Sequence, residues 1–118
     1  MPDIHHRLTM SGPRDEVFVG LTQMVRARAV EVGARAQVLV LDRERRAVWR
    51  IVAGPADWVG TEVSFELEDA GAETLVSFAH RHWREATPAM AACTTRWAKG
   101  LFALERAVAI REPDDTRL

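Results

Sequence analysis

Alternation of apolar and polar residues is the first pattern visible along the chain. It is clearest from residue 61 to residue 68, where Thr, Val, Phe and Leu alternate with one serine and three glutamates. A period of two places one face of a β-strand against a core and the other face in solvent. Similar patterns predict four further strands, over residues 4–10, 37–42, 47–53 and 75–81. Because the second and third of these segments flank a charged turn, they predict a β-hairpin.

Two other segments repeat apolar residues every three or four positions, which is typical of amphipathic helices. The first begins at Pro13, a residue suited to the first turn of a helix, and extends to about residue 24. The second is long and follows Pro88. Its apolar stripe consists of Met90, Cys93, Thr94, Trp97, Leu101, Leu104 and Val108. The segment before Gly33 fits either a continued helix or a short strand, and its alternation favours a strand near residues 29–32.

The order of these elements predicts the fold class. A strand, a helix, an antiparallel meander and one long terminal helix indicate an α+β fold, in which a curved antiparallel sheet wraps around the C-terminal helix. The space between such a sheet and its helix is a natural site for a ligand. We expect one domain over residues 1–112, followed by a flexible tail over residues 113–118 that contains Pro113 and two aspartates.

Composition excludes several classes of function. The chain has 118 residues, 47% hydrophobic and 28% charged, and its formal net charge is −1, so no basic footprint for nucleic acid is present. It lacks an apolar run long enough to cross a membrane and an N-terminal apolar leader, which predicts a cytoplasmic protein without membrane contact. The single cysteine, Cys93, excludes an internal disulfide. With Lys99 as its only lysine, the chain has the bias of a GC-rich coding sequence.

Three motifs carry a resemblance to a known superfamily. They are Trp58-Val-Gly60-Thr61, then Phe78, His80 and Trp83 in a Phe-x-His-x-x-Trp spacing, then Cys93 and Trp97 at the start of the last helix. In this order they resemble the START-like superfamily, also called SRPBCC, in the branch related to activators of the heat-shock-protein-90 ATPase, which includes many bacterial proteins. The likeness covers roughly Val48 to Glu105, and weakly Ile4 to Thr22.

The resemblance implies a helix-grip fold with a hydrophobic tunnel between the sheet and the terminal helix. The sequence departs from that pattern in two places. Only Met24 to Arg35 occupies an interval that usually holds further short helices, an extra strand and a Trp-rich roof. The second departure is His82, where the motif commonly has glycine. The short interval leaves the cavity open, small or filled by a partner.

We predict that the protein binds a hydrophobic small molecule in this cavity, without catalysis, cofactor or metal. The predicted ligand-binding residues are Trp49, Trp58, Phe65, Phe78, His80, Trp83, Met90, Cys93, Trp97 and Leu101. They combine large aromatic surface with apolar residues of the helix stripe. Indole rings supply apolar contact area and one N–H donor each.

Three alternatives concern the histidines and the uncovered surface. His80 and His82 alternate onto one side of a strand, where His6 and Cys93 could complete a metal site, but no recognised ligand spacing supports this. A polyketide cyclase-like or hydratase-like enzyme would use His80 with Glu85 or Glu105, or Cys93 as nucleophile. An interaction module, co-chaperone-like or a homodimer, would cover the apolar surface that the short interval leaves exposed.

Overall fold

Five antiparallel strands form one sheet with two helices on one of its faces. The computed structural model describes residues 2–111, with side chains for residues 2–108. The elements are β1 (Ile4–Ser11), α1 (Arg14–Val32), β2 (Arg35–Asp42), β3 (Arg46–Ala53), β4 (Glu62–Ala70), β5 (Glu73–Arg81) and α2 (Pro88–Arg111). The strand order across the sheet is β1-β5-β4-β3-β2. The predicted hairpin over β2 and β3 and the other predicted strands are therefore confirmed, apart from one segment described below.

The core lies between the sheet and α2. Neighbouring residues of β4 and β5 stack their side chains toward the helices: Val63 beside His80, Phe65 beside Phe78, and Leu67 beside Val76. All six side chains are buried. From α2, the side chains of Cys93, Trp97 and Leu101 pack against this layer and are at most 3% exposed. The predicted stripe of the terminal helix is thus confirmed.

The first and last strands of the chain are neighbours in the sheet. β1 pairs antiparallel with β5, with Ile4 opposite His80 and Leu8 opposite Val76. This pairing places β1 beneath α2, which contacts it along the helix. α1 lies instead against β4 and β2. The two helices therefore cover different halves of the sheet.

The strand predicted near residues 29–32 is wrong, because α1 continues to Val32. Val25 is buried, and Ala29 and Val32 are partly buried, a spacing of four and three that matches the helical period. In the same segment, apolar residues also alternate with arginines, and this alternation is why the sequence fits a strand as well as a helix. The helix ends at Gly33, whose φ of 75° is left-handed, and its N–H donates to the carbonyl of Val30.

No helix in the described range of the chain is long and apolar enough to cross a membrane. The tail predicted over residues 113–118 and the last domain residue, Glu112, lie outside the described residues. The described strands and helices share one core, and they position two features of interest. One is a buried histidine on β5, and the other is an open cleft between α1 and the β2–β3 hairpin.

Candidate functional site

His80 is buried at the end of β5 among three tryptophans. Its side chain has no solvent exposure. The ring centroid of His80 lies 4.7 Å from that of Trp58, 4.6 Å from Trp83 and 6.0 Å from Trp97. Trp58 comes from the loop before β4, Trp83 from the segment after β5, and Trp97 from α2. The sequence therefore brings three separate elements onto one imidazole.

Hydrogen bonds occupy both nitrogens of His80. The indole N–H of Trp97 donates to Nδ1 at 3.1 Å, and an indole N–H can only donate, so Nδ1 carries no proton. The proton therefore resides on Nε2, which donates to Oγ1 of Thr61 at 2.8 Å. The Thr61 hydroxyl in turn donates to the carbonyl oxygen of Trp58 at 2.6 Å. This chain satisfies every polar atom of a neutral imidazole.

Electrostatics agree with this hydrogen-bond pattern. Burial, and secondarily the nearby Arg28 guanidinium, lower the pKa of His80 to about 3. Burial also raises the pKa of the Cys93 thiol, although Arg28 acts in the opposite direction. The Sγ atom of Cys93 lies 3.9 Å from Nδ1 of His80, whose lone pair already accepts the Trp97 proton. The pair therefore has neither a free base nor a thiolate at neutral pH.

His82 does not share a side of β5 with His80, so that expectation is wrong. β5 ends at Arg81, and His82 has a left-handed φ of 73° that turns the chain away. Glycine adopts this conformation without strain, which gives a physical reason for the glycine of the motif. The side chain of His82 is exposed, and its Nε2 lies 3.9 Å from Oε1 of Glu62.

No metal site forms among the described residues. The predicted third ligand, His6, donates from Nε2 to the carbonyl of Thr94 at 3.1 Å. Within residues 2–108, no group of three or more His, Cys, Asp or Glu side chains could hold a metal ion. The carboxylates suggested as partners of His80 lie elsewhere: Glu85 is exposed, and Glu105 is partly buried without a hydrogen bond to that imidazole.

The open feature is a cleft of about 420 Å³ between α1 and the strands β2 and β3. It is lined by Thr22, Val25, Arg26, Ala29, Val30, Ala36, Val38, Leu41, Trp49, Ile51, Trp58, Val63 and Trp97. All but two of these side chains are apolar. The single charged one, Arg26, is exposed and forms no ion pair or hydrogen bond within the described residues. The cleft therefore offers an apolar wall with one cation at its rim.

Trp58 and Trp97 form the boundary between the cleft and the His80 cluster. Their ring centroids are 6.1 Å apart, and both residues touch both features. On the helical side, the Arg28 guanidinium carbon lies 5.8 Å from the centre of the Trp58 ring. Arg28 also pairs with Glu31 at 2.7 Å, and this pairing lowers the pKa of the Glu31 carboxyl. Arg28 belongs to α1 and Trp97 to α2, so both helices contribute residues to this boundary.

The ten residues predicted to bind ligand occupy three kinds of position. Trp49, Trp58 and Trp97 line the cleft. Six others pack in the core: Phe65, Phe78, His80, Trp83, Cys93 and Leu101. Met90 is partly buried at the start of α2. The sequence reasoning missed the contributions of α1 and β2, and the four-residue spacing of Val25 and Ala29 was the signal that could have revealed the first of these.

Solved structures similar to this chain share its architecture. A dimer of Aha1 from Colwellia psychrerythraea, a homologue of the activator of the heat-shock-protein-90 ATPase, matches with 29% identity and a TM-score of 0.78, over 95% of this chain and 99% of that one. Protein MLL2253 from Mesorhizobium loti matches with 14% identity and a TM-score of 0.72, over 94% of this chain and 98% of that one.

A third similar structure is CalU16 from Micromonospora echinospora, with 18% identity and a TM-score of 0.67, over 87% of this chain and 71% of that one. No protein-family model and no curated protein matches the sequence. The fold of these structures agrees with the one implied by the sequence motifs and with the observed open sheet packed against a C-terminal helix. The chain therefore has the helix-grip fold of the START-like, or SRPBCC, superfamily.

Proposed function

We propose that the protein binds an apolar or amphipathic small molecule in the cleft between α1 and the β2–β3 hairpin, and that it does so without catalysis. The observation that carries this proposal is the cleft itself, with its volume of about 420 Å³ and its almost entirely apolar lining. Ligand pockets typically have volumes of about 300–1,000 Å³ and few polar groups. The cleft has both properties.

The lining favours a particular shape and charge of ligand. The rings of Trp49, Trp58 and Trp97 supply broad apolar surfaces, which suit an alkyl or ring-containing body. Arg26 at the rim has no partner among the described residues, so an anionic group at one end of the ligand would find a cation there. A straight-chain carboxylate such as decanoate combines these two features and serves as a probe.

The cyclase-like and hydratase-like alternative receives no such support. Proton transfer by His80 requires a ring nitrogen with a free lone pair or an ionisable proton near neutral pH. Nδ1 and Nε2 of His80 are both engaged, and its pKa is far below that range. We therefore assign His80 a structural role, in which it joins β5 to α2 and to the loop before β4.

Thermal unfolding in the presence of probe ligands tests the binding proposal. We expect decanoate to raise the melting temperature more than decanol, because only decanoate carries an anionic group for Arg26. A ligand at a hundredfold excess over its Kd adds about 2.7 kcal/mol to the free energy of unfolding. The variant Ala29→Trp fills the cleft and should abolish the increase. Ala27→Trp is the matched control, because Ala27 is exposed on the same helix outside the cleft lining. Equal stabilisation of all three proteins, or of none, would contradict the proposal.

Self-association is a second candidate function, which the exposure of β2 favours. The side chains of Val38 and Leu41 are 53% and 55% exposed, although both are large and apolar. A patch of this kind often marks an interface. The similar Aha1 chain from Colwellia psychrerythraea is described as a dimer. Light scattering over a concentration series tests this candidate, and a constant monomeric mass would oppose it.

A further inference from the structure

β2 is an edge strand that lacks two common protections against pairing, charged side chains along its centre and proline. It has eight residues, and its outer edge pairs with no strand in the described part of the chain. The six residues between its two ends carry no charge. Edge strands are normally blunted by charged side chains, proline or a covering element. β1, at the other edge of the sheet, carries Arg7 at its centre and His5 beside it, so the two edges differ.

Half of the exposed large hydrophobic side chains among the described residues lie at this edge. Val30, Val38, Leu39 and Leu41 are four of the eight large hydrophobic side chains that are exposed among the described residues, and Val30 is 81% exposed. They occupy β2 and the last turn of α1 beside it. A second molecule that covered this edge would remove them from water together.

The two ends of β2 carry opposite charges. Arg35 begins the strand and Asp42 ends it, and both side chains are exposed. Neither forms an ion pair within the described residues. When a strand pairs antiparallel with a copy of itself, its first residue can lie opposite the last residue of the copy. That arrangement would bring each Arg35 to an Asp42, at both ends of the paired region.

An irregularity in β2 makes this register compatible with the two faces of the sheet. Ala36, Val38 and Leu41 line the cleft on the helical face, whereas Leu39 and Val40 line a recess on the opposite face. The register with β3 shifts twice, between Arg35 and Ala36 and between Val38 and Val40. The second shift gives β2 one extra residue. Ala36 and Leu41 therefore share the helical face, and Gln37 and Val40, which pair with Arg50 and Val48 of β3, share the opposite face.

We propose that two copies of the chain pair antiparallel through the outer edges of β2, with Arg35 of each copy opposite Asp42 of the other. This inference rests on the self-association candidate and names its surface, register and partner. The two five-stranded sheets then form one continuous sheet. In this register Ala36 lies opposite Leu41 of the second copy, on the helical face. Each copy therefore contributes an apolar side chain to the rim of the other copy's cleft.

Charge reversal tests the register. In Arg35→Asp, both ends of the paired strands carry two facing carboxylates, and in Asp42→Arg they carry two facing guanidinium groups. Like charges placed opposite each other across strands are destabilising. We expect each single variant to raise the dimer Kd at least tenfold, as measured by light scattering and sedimentation. The double variant Arg35→Asp/Asp42→Arg restores opposite charges and should return the Kd to within about threefold of the native value.

Arg7→Asp is the matched control, because it makes the same reversal at the centre of the opposite edge strand. We expect it to leave the dimer Kd unchanged. Circular dichroism of every variant establishes that the exposed substitutions leave the fold intact. A native chain that is monomeric at all concentrations would overturn both self-association and this interface. A dimer that is insensitive to both single reversals, or weakened only by Arg7→Asp, would overturn the interface while self-association stood.

Disulfide cross-linking gives a second test that does not depend on charge. Gln37 lies opposite Val40 of the second copy in the proposed register, with both side chains on the solvent face. The double variant Gln37→Cys/Val40→Cys should form a covalent dimer under mild oxidation, whereas the native Cys93 is buried and should not. A covalent dimer of the double variant with the same mass as the native dimer supports the register. A dimeric but uncross-linked double variant would overturn it.

Discussion

The two ends of the helical face of the sheet are built from similar residues but are covered differently. At the β5 end, α2 and the segment after β5 place Trp83 and Trp97 onto His80, and all three side chains are at most 1% exposed. At the β2 end, only the last turns of α1 lie above the sheet, and Val38 and Leu41 remain more than half exposed. Apolar residues thus fill the β5 end completely and leave a cleft at the β2 end. We call these the filled end and the open end.

This difference separates structural roles from binding roles. A buried polar group is stable only when its hydrogen bonds are made, and His80 achieves this through Thr61 and Trp97. A group whose bonding capacity is used in this way has little left for a ligand. The cleft shows the opposite arrangement, with apolar walls and an Arg26 side chain that forms no ion pair or hydrogen bond within the described residues. We therefore infer that ligand recognition belongs to the open end.

Removal of the central tryptophan should produce the largest loss of stability. Trp97 contacts Phe78 at a ring distance of 4.7 Å and donates the hydrogen bond to His80. We expect Trp97→Ala to lower the free energy of unfolding by about 3–5 kcal/mol, since it creates a cavity and removes that donor. Phe102→Ala on the exposed side of α2 should cost less than about 0.5 kcal/mol. Urea titration at one fixed protein concentration measures both.

Acid should destabilise the filled end through His80. The unfolded chain protonates this imidazole below a pH of about 6.5, whereas the folded chain keeps it neutral until a pH of about 3. Unfolding therefore takes up a proton in that window, and stability falls as the pH falls through it. Between pH 6.5 and pH 4 we expect this group to remove roughly 3 kcal/mol.

The variant His80→Gln isolates this contribution, because glutamine does not titrate. Its free energy of unfolding should fall less steeply with decreasing pH than that of the native protein. The measurement is a urea titration of both proteins at several values between pH 4 and pH 7. Identical pH slopes would show that His80 has the same proton affinity in the folded and unfolded chains.

A smaller loss is expected from the hydroxyl that accepts the imidazole proton. Thr61→Val keeps the shape of the side chain but leaves Nε2 of His80 without an acceptor. An unsatisfied buried donor costs about 1–3 kcal/mol. Thr9→Val changes an exposed threonine of β1 and should cost less than about 0.5 kcal/mol. Equal effects of the two substitutions, measured by thermal unfolding, would contradict the proposed hydrogen-bond chain.

Much of the filled end was predictable from the sequence. The stripe of α2 and the strand patterns of β4 and β5 specify which side chains face each other, because both periods are regular. The protonation state of His80 was not predictable, since it depends on Thr61 and Trp97 meeting the ring from different elements. The left-handed turn at His82 did not follow from the alternation, which continues past Arg81, and the glycine that the motif commonly has at this position was its signal.

The open end was harder to predict for a different physical reason. The segment of β2 reads as a strand, but exposure of its apolar residues depends on whether another element covers them. The short interval between Met24 and Arg35 indicated an incomplete cover. It did not show that α1 would continue to Val32 and form one wall of the cleft. Whether the cleft binds ligand stays a prediction.

The indole N–H signals of the four tryptophans test the division between the two ends most directly. In a two-dimensional ¹H–¹⁵N NMR titration with decanoate, we expect the signal of Trp49 to shift, because its ring lines the cleft. The signal of Trp83 should stay fixed, since this side chain is buried beside His80 outside the cleft lining. A shift of Trp83 with an unchanged Trp49 would place binding at the filled end and contradict the account.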